Sequence, residues 1–229
     1  MLLVFDAYGT LLDVDAAARQ AATEPGMESL QKNWQSLAKS WRERQLRYSW
    51  LCSMMEKYDE FWELTTRALD ASLEEYALSS DQKMKIRDRL LSLYSELMAY
   101  EEVTKVLANL KASSHKLAVL SNASPKMLKT AIEAAGIADY FDELLSVDVL
   151  KCYKPTPAVY RLVIERFNCS PSDVTFFSSN NWDVCGAGAF GFKTIWVNRS
   201  GVSWDNLPGK PDHIVQSISE ASNLIGGGQ

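Results

Sequence analysis

Leu2-Leu3-Val4-Phe5-Asp6-Ala7-Tyr8-Gly9-Thr10-Leu11-Leu12 opens the chain with an apolar run that ends on an aspartate. Four apolar residues, then a carboxylate and a glycine-containing turn, predict a short buried strand that stops at Asp6. In open α/β sheets ligands bind beyond the carboxyl ends of the strands. An aspartate at that place has the chemistry of a nucleophile, because carboxylates form covalent intermediates in several enzyme classes. Two residues further on stands Tyr8, where a phosphate-handling site of this shape would want a second carboxylate.

From about residue 101 the pattern alternates. Residues 103–110 have helical periodicity, and 116–120 form a short apolar run ending at Ser121-Asn122. Ser124-Pro125 reads as an N-cap with proline at the first helical position, and Gly136 as the stop. Strands are predicted at 144–147, 174–177, 193–197 and 213–215, with helices at 158–167 and 183–190, the last closed by Gly191. Strands alternating with helices imply βαβ units. The fold class is therefore α/β, a doubly wound, mostly parallel Rossmann-like sheet. Residues 14–98 break the alternation. Leu30, Trp34, Leu37, Ala38 and Trp41 follow helical spacing, and the block holds four of the seven tryptophans (Trp34, Trp41, Trp50 and Trp62). It reads as an inserted helical cap subdomain, the core being 1–13 and 99–229. Trp34, Trp41 and Trp50 are expected mainly in packing. Gly226-Gly227-Gly228 reads as a frayed tail.

With 229 residues, 47% hydrophobic and 23% charged, the chain suits one sizeable core plus a smaller subdomain. The net charge of −5 argues against a nucleic-acid or anionic-membrane partner. No stretch approaches the roughly 18 apolar residues of a membrane span. The first apolar run meets Asp6 with no basic segment before it, so no signal peptide is expected. Cys52, Cys152, Cys169 and Cys185 show no C-x-x-C pairing, which suits a reducing cytoplasm. His115 and His213 each precede a predicted strand in loop-like surroundings, which speaks against a histidine acid/base or zinc mechanism.

Polar residues gather at the predicted strand ends. They are Asp6 and Thr10, Ser121 and Asn122, Lys154, then Ser178, Ser179, Asn180 and Asp183. Four strand ends meeting on one rim is the pattern of an active site in such a sheet. Singly each has a plainer reading: Ser and Asn cap helices, and Asp183 suits a helix N-terminus.

Together, Asp6-x-Tyr8-Gly9-Thr10, Ser121-Asn122, Lys154-Pro155 and Ser178-Ser179-Asn180-Asn181-Trp182-Asp183 resemble the haloacid dehalogenase superfamily. More narrowly they resemble the (S)-2-haloacid dehalogenases. The segment from Trp41 to Leu51 is similar to that family's substrate-facing helix. Phosphatases of the superfamily hold Mg²⁺ with carboxylates, and the ion usually draws one or two protein carboxylates plus phosphate. Here Tyr8 and Ser179 stand at two of the acidic positions, which favours displacement at carbon with no metal and no cofactor.

The resemblance implies an aspartyl ester on Asp6, formed by attack at C2 of a small (S)-2-haloalkanoate, and its hydrolysis to the (R)-2-hydroxy acid plus halide. Asp183 would activate the water and Lys154 hold the carboxylates. Ser121 and the Asn122 backbone N–H would take the substrate carboxylate, with Thr10, Ser178, Asn180 and Tyr160 in support. Arg42 would meet the halide. Ala7, Tyr8, Glu43, Leu46, Phe61 and Trp182 would contact substrate, several as an apolar slot. Pro157 stiffens the loop after Lys154 and bears on where Tyr160 sits. A homodimer is implied by resemblance alone. The alternatives are a metal-free ring-opening hydrolase acting on a small cyclic amino acid, a Mg²⁺-dependent phosphatase, and a catalytically silent scaffold.

Overall fold

The computed structural model describes residues 1–226. In chain order the elements are β1 (Leu2–Phe5), α1 (Ala16–Ala21), α2 (Glu28–Gln31), α3 (Trp34–Met54), α4 (Phe61–Leu73), α5 (Ser80–Ser95), α6 (Val103–Ala112), β2 (Lys116–Ser121) and α7 (Pro125–Ala134). They continue with β3 (Glu143–Ser146), α8 (Pro157–Phe167), β4 (Val174–Ser178), α9 (Asn181–Phe190), β5 (Lys193–Val197), β6 (His213–Val215) and α10 (Ile218–Gly226). The sheet order is β3-β2-β1-β4-β5-β6, and every neighbouring pair is parallel.

β1 is central, and its register aligns the strand ends. Phe5 lies opposite Val119 of β2 and Phe177 of β4, so Asp6, Ser121 and Ser178 emerge along one edge. Leu3, Val4 and Phe5 are fully buried, and the Phe5 ring stacks on Phe177 at 4.5 Å. Strands buried on both faces read as continuous apolar runs, which is why β1 was legible without alternation.

The expected elements are present, with shifted ends. Val147 leaves the strand for a 3₁₀ turn at Val147–Leu150, because the Ser146 hydroxyl accepts from the Asp148 N–H at 3.1 Å and turns the chain. Ser124 caps α7 as expected, its hydroxyl accepting from Met127 N–H. α9 starts at Asn181, two residues before the expected start. Gly226 is the last residue of α10 rather than part of a tail, and Gly227 and Gly228 lie outside the described residues.

Between β1 and α6 stand five helices and no strand of the sheet, matching the all-helical reading of residues 14–98. α3 and α4 pair as a hairpin, tied where the Trp41 indole N–H donates to the Thr65 carbonyl at 2.8 Å. The chain enters and leaves this block as a short antiparallel ribbon: Asp13 N–H donates to Met98 O and Tyr100 N–H to Leu11 O, both at 3.0 Å. On the far side, Tyr58 Oη donates to Asp148 Oδ1 at 2.6 Å and Tyr153 N–H to Ser53 Oγ at 2.9 Å, which fastens α3 and the α3–α4 turn to the loop carrying Lys154. All four cysteines are free. Among the described residues no helix is long and apolar enough to cross a membrane.

Candidate active site

Asp6 leaves β1 with its N–H still donating to Phe177 O at 2.8 Å, so the sheet itself fixes its backbone. Both carboxylate oxygens are engaged. Lys154 Nζ donates to Oδ1 at 3.0 Å, and Thr10 Oγ1 and Asn180 Nδ2 each donate to Oδ2 at 3.0 Å. The turn that returns Thr10 to Asp6 needs Gly9, whose φ of 91° is the left-handed region that favours glycine. A Cβ at Gly9 would also come 3.0 Å from Ser179 Oγ. Asn180 stands at the N-cap of α9 but caps nothing with its side chain, which goes to Asp6 instead.

Lys154 is 1% exposed and lies between two carboxylates, with Asp183 Oδ2 at 2.9 Å from Nζ. Burial works against its charge, yet Asp183 and Asp6 outweigh burial and hold its pKa above the ordinary lysine value. Burial, and after it Asp6, push the Asp183 carboxyl above the usual aspartate range despite the pull of Lys154. Tyr160 Oη donates to Asp183 Oδ1 at 2.8 Å and approaches its backbone carbonyl at 3.2 Å. Burial, then Asp183, raises this phenol well above its usual value, so it stays a neutral donor. Tyr160 reaches Asp183 over Gly186, where a Cβ would fall 2.5 Å from the phenol oxygen and 2.6 Å from Pro155 Cβ. Pro157 takes the first turn of α8 and leaves Tyr160 in register.

The remaining rim residues have defined partners. Ser121 Oγ accepts from Ala123 N–H at 3.1 Å, and Ser178 Oγ accepts from Asn180 N–H at 3.1 Å. The Asn122 side-chain carbonyl accepts from Lys154 N–H at 3.0 Å and so anchors the lysine loop. Ser179 donates its backbone N–H to Thr10 Oγ1 at 2.8 Å. Ala7 is fully buried, its carbonyl taking the N–H groups of Leu11 and Leu12 to close the turn.

Arg42 projects from α3 toward this turn. Its Nη2 donates to Tyr8 O at 3.3 Å and its Nη1 to Gln45 Oε1 at 2.7 Å. Gln45 is itself held by Thr65 at 2.6 Å, so a buried amide aims the guanidinium. The Tyr8 ring stacks on Tyr94 at 5.7 Å, and its buried hydroxyl has no hydrogen-bond partner. Burial, then Tyr94, pushes that phenol well above its usual pKa. Gln45 and Tyr94 carried no signal in the sequence beyond helical spacing.

A cavity of about 460 Å³ opens beside this cluster, lined among others by Tyr8, Trp34, Arg42, Glu43, Asn180 and Arg199. Trp34 is partly buried and packs against the core while also bordering this cavity, and Trp41 is buried as expected. Trp50 and Trp182 meet edge-on at 5.4 Å across the junction of α3 and α9. Leu46 and Phe61 are buried and do not line this cavity, and Phe61 packs on Tyr153 at 5.6 Å. Glu43 is exposed at the edge of this cavity and lies 3.9 Å from Lys39 Nζ, which also lines it. Among the described residues no three His, Cys, Asp or Glu side chains gather into a metal-binding group.

Residues 1–191 match the family model of the haloacid dehalogenase-like hydrolases. The chain is 41% identical over 222 residues to (S)-2-haloacid dehalogenase 1 of Pseudomonas sp. strain CBS-3, covering 97% of this chain and 95% of the relative. A dehalogenase solved as an intermediate complex superposes with a TM-score of 0.91 at 40% identity, over 97% of this chain and 96% of the other. The L-2-haloacid dehalogenase of Xanthobacter autotrophicus, solved with chloropropionic acid covalently bound, gives 0.83 at 31% identity with full coverage of both chains (100% each). By family model, relatives and fold alike, the chain belongs to the haloacid dehalogenase-like hydrolases.

Proposed function

We propose that this protein is a hydrolytic dehalogenase of small (S)-2-haloalkanoic acids, with residues 14–98 serving as a cap over the strand ends. The observation that carries the reading is the Lys154 ammonium held 3.0 Å from Asp6 and 2.9 Å from Asp183, with Tyr8 where a phosphatase would carry its general acid/base and Ser179 where it would carry a metal-site acid. A fixed ammonium offsets the repulsion between the two carboxylates and holds Asp6 in place as a nucleophile. The covalently bound chloropropionic acid in the Xanthobacter structure points to the same chemistry.

In the first step an Asp6 oxygen attacks C2 on the side opposite the halogen, the C2–halogen bond breaks, and halide leaves with the bonding pair. Inversion at C2 follows from that direction of attack. Arg42, aimed by Gln45, stabilises the charge that develops on the halogen. In the second step water attacks the carbonyl carbon of the Asp6 ester. Asp183, with its pKa raised chiefly by burial, takes the proton, as suits a general base. The acyl–oxygen bond breaks, the (R)-2-hydroxy acid leaves with a proton, and one water oxygen stays in the Asp6 carboxylate. Ser121 and the Asn122 backbone hold the substrate carboxylate.

Chloride release from (S)-2-chloropropionate, with a chelator present, tests the reading. Sustained release is expected; no release overturns it, and release abolished by the chelator returns the site to metal chemistry.

A further inference from the structure

Arg199, just past β5, has no part in the chemistry above, yet its guanidinium is engaged on three sides. Its side chain is 14% exposed. Nη2 and Nε converge on the Thr10 carbonyl at 2.8 and 3.3 Å. The guanidinium lies 3.7 Å over the Tyr100 ring, and Nη2 is 2.7 Å from Glu102 Oε1. That buried oxygen has no aligned hydrogen-bond partner, so it relies on the charge of Arg199.

These contacts fall on both linkers of the helical insertion. Thr10 begins the segment that enters it, Tyr100 and Glu102 belong to the segment that returns, and Arg199 belongs to neither. The linkers themselves are joined by only two backbone hydrogen bonds, from Asp13 to Met98 and from Tyr100 to Leu11. A two-stranded ribbon of this length is marginal alone, so a brace from the core sets how freely it bends. Thr10 is also the residue whose hydroxyl holds Asp6 Oδ2 at 3.0 Å.

We propose that Arg199 is a positioning residue, bracing both linkers against the core and, through the Thr10 carbonyl, fixing the Thr10–Asp6 hydrogen bond. Arginine is required for this, because one planar group must grip a carbonyl, face a carboxylate and stack on a ring, which a lysine ammonium does not do. The kinetic half of the proposal rests on the dehalogenase reading; the structural half does not.

Two measurements on the full chain test it. Amide hydrogen exchange is followed at Asp13 and Tyr100 in Arg199→Gln, and in Arg199→Lys should the first variant fold poorly. Exchange there is expected to speed up about tenfold or more while amides within α3 stay unchanged. Unchanged exchange at both amides overturns the brace, and needs no substrate to be informative. The kcat for chloride release per titrated Asp6 is then measured in a double-mutant cycle with Thr10→Ala. Arg199→Gln is expected to lower kcat about tenfold in the parent and little in the Thr10→Ala background, since both changes break one linkage. Fully additive losses overturn the route through Thr10. A parent that releases no chloride fails the functional reading and leaves the exchange result to decide the brace.

Discussion

Replacing Lys154 with methionine removes the one cation between Asp6 and Asp183 while keeping a side chain of similar length. The ammonium makes two ion pairs, at 3.0 and 2.9 Å, between side chains exposed by 1%, 9% and 0%. Removing one partner of a buried pair costs about 3–5 kcal/mol, because the other charge stays buried and uncompensated. For a chain of this size that is a fall of roughly 6–20 °C in Tm. The loss has a pH signature. Asp183 already titrates above the ordinary aspartate range through burial and Asp6, and losing Lys154 raises it further. A group whose folded pKa lies above its unfolded value contributes stability below the unfolded pKa and loses it as pH rises through the folded one. The gap between variant and parent is therefore widest near neutrality and narrows as pH falls toward 4, where the unfolded aspartate titrates at about 3.9. The parent keeps its Lys154 contribution until pH passes the unfolded lysine value of about 10.4, since that folded pKa is also raised. Thermal melts between pH 4 and 8, with chloride release assayed alongside, check this. A variant that melts with the parent at every pH, or whose deficit is independent of pH, refutes the bridging role.

Gly186→Ala drives a methyl group to within 2.5 Å of Tyr160 Oη and is expected to cost about 1–3 kcal/mol in a denaturant titration, with a lower kcat. Tyr160→Phe removes a hydrogen bond that lowers the Asp183 pKa, so that pKa rises further. Since the base must be ionised, the acid limb of the kcat profile moves to higher pH; an unmoved limb argues against Asp183 as the base. Asp183→Asn leaves the first displacement possible and blocks the water, so mass spectrometry should find the chain carrying one alkyl group after mixing with substrate. An unmodified chain that turns over normally contradicts that role.

The sheet was legible because its strands are buried runs ending in polar residues, and β1 and β4 gave away their ends in Asp6 and Ser178. The rim residues were legible for the same reason. Tyr8 and Ser179 were informative because they stand where phosphatases of the superfamily carry acids. Residues that act across long separations left no such trace. Gln45 reads as one more helical polar residue until Arg42 and Thr65 are seen on either side of it. Asn122 was read through its backbone, whereas its side chain holds the Lys154 loop. Gly186 looked like an ordinary helical glycine, although it is the gap through which Tyr160 reaches Asp183.

The covalent role of Asp6 is tested most directly by a single turnover of (S)-2-chloropropionate in H₂¹⁸O with enzyme in excess. If water attacks the Asp6 ester, the 2-hydroxypropionate released carries no ¹⁸O, and the peptide containing Asp6 gains one labelled oxygen. Label in the product of that first turnover, with an unlabelled Asp6 peptide, would mean that water attacks C2 directly and Asp6 is not the nucleophile.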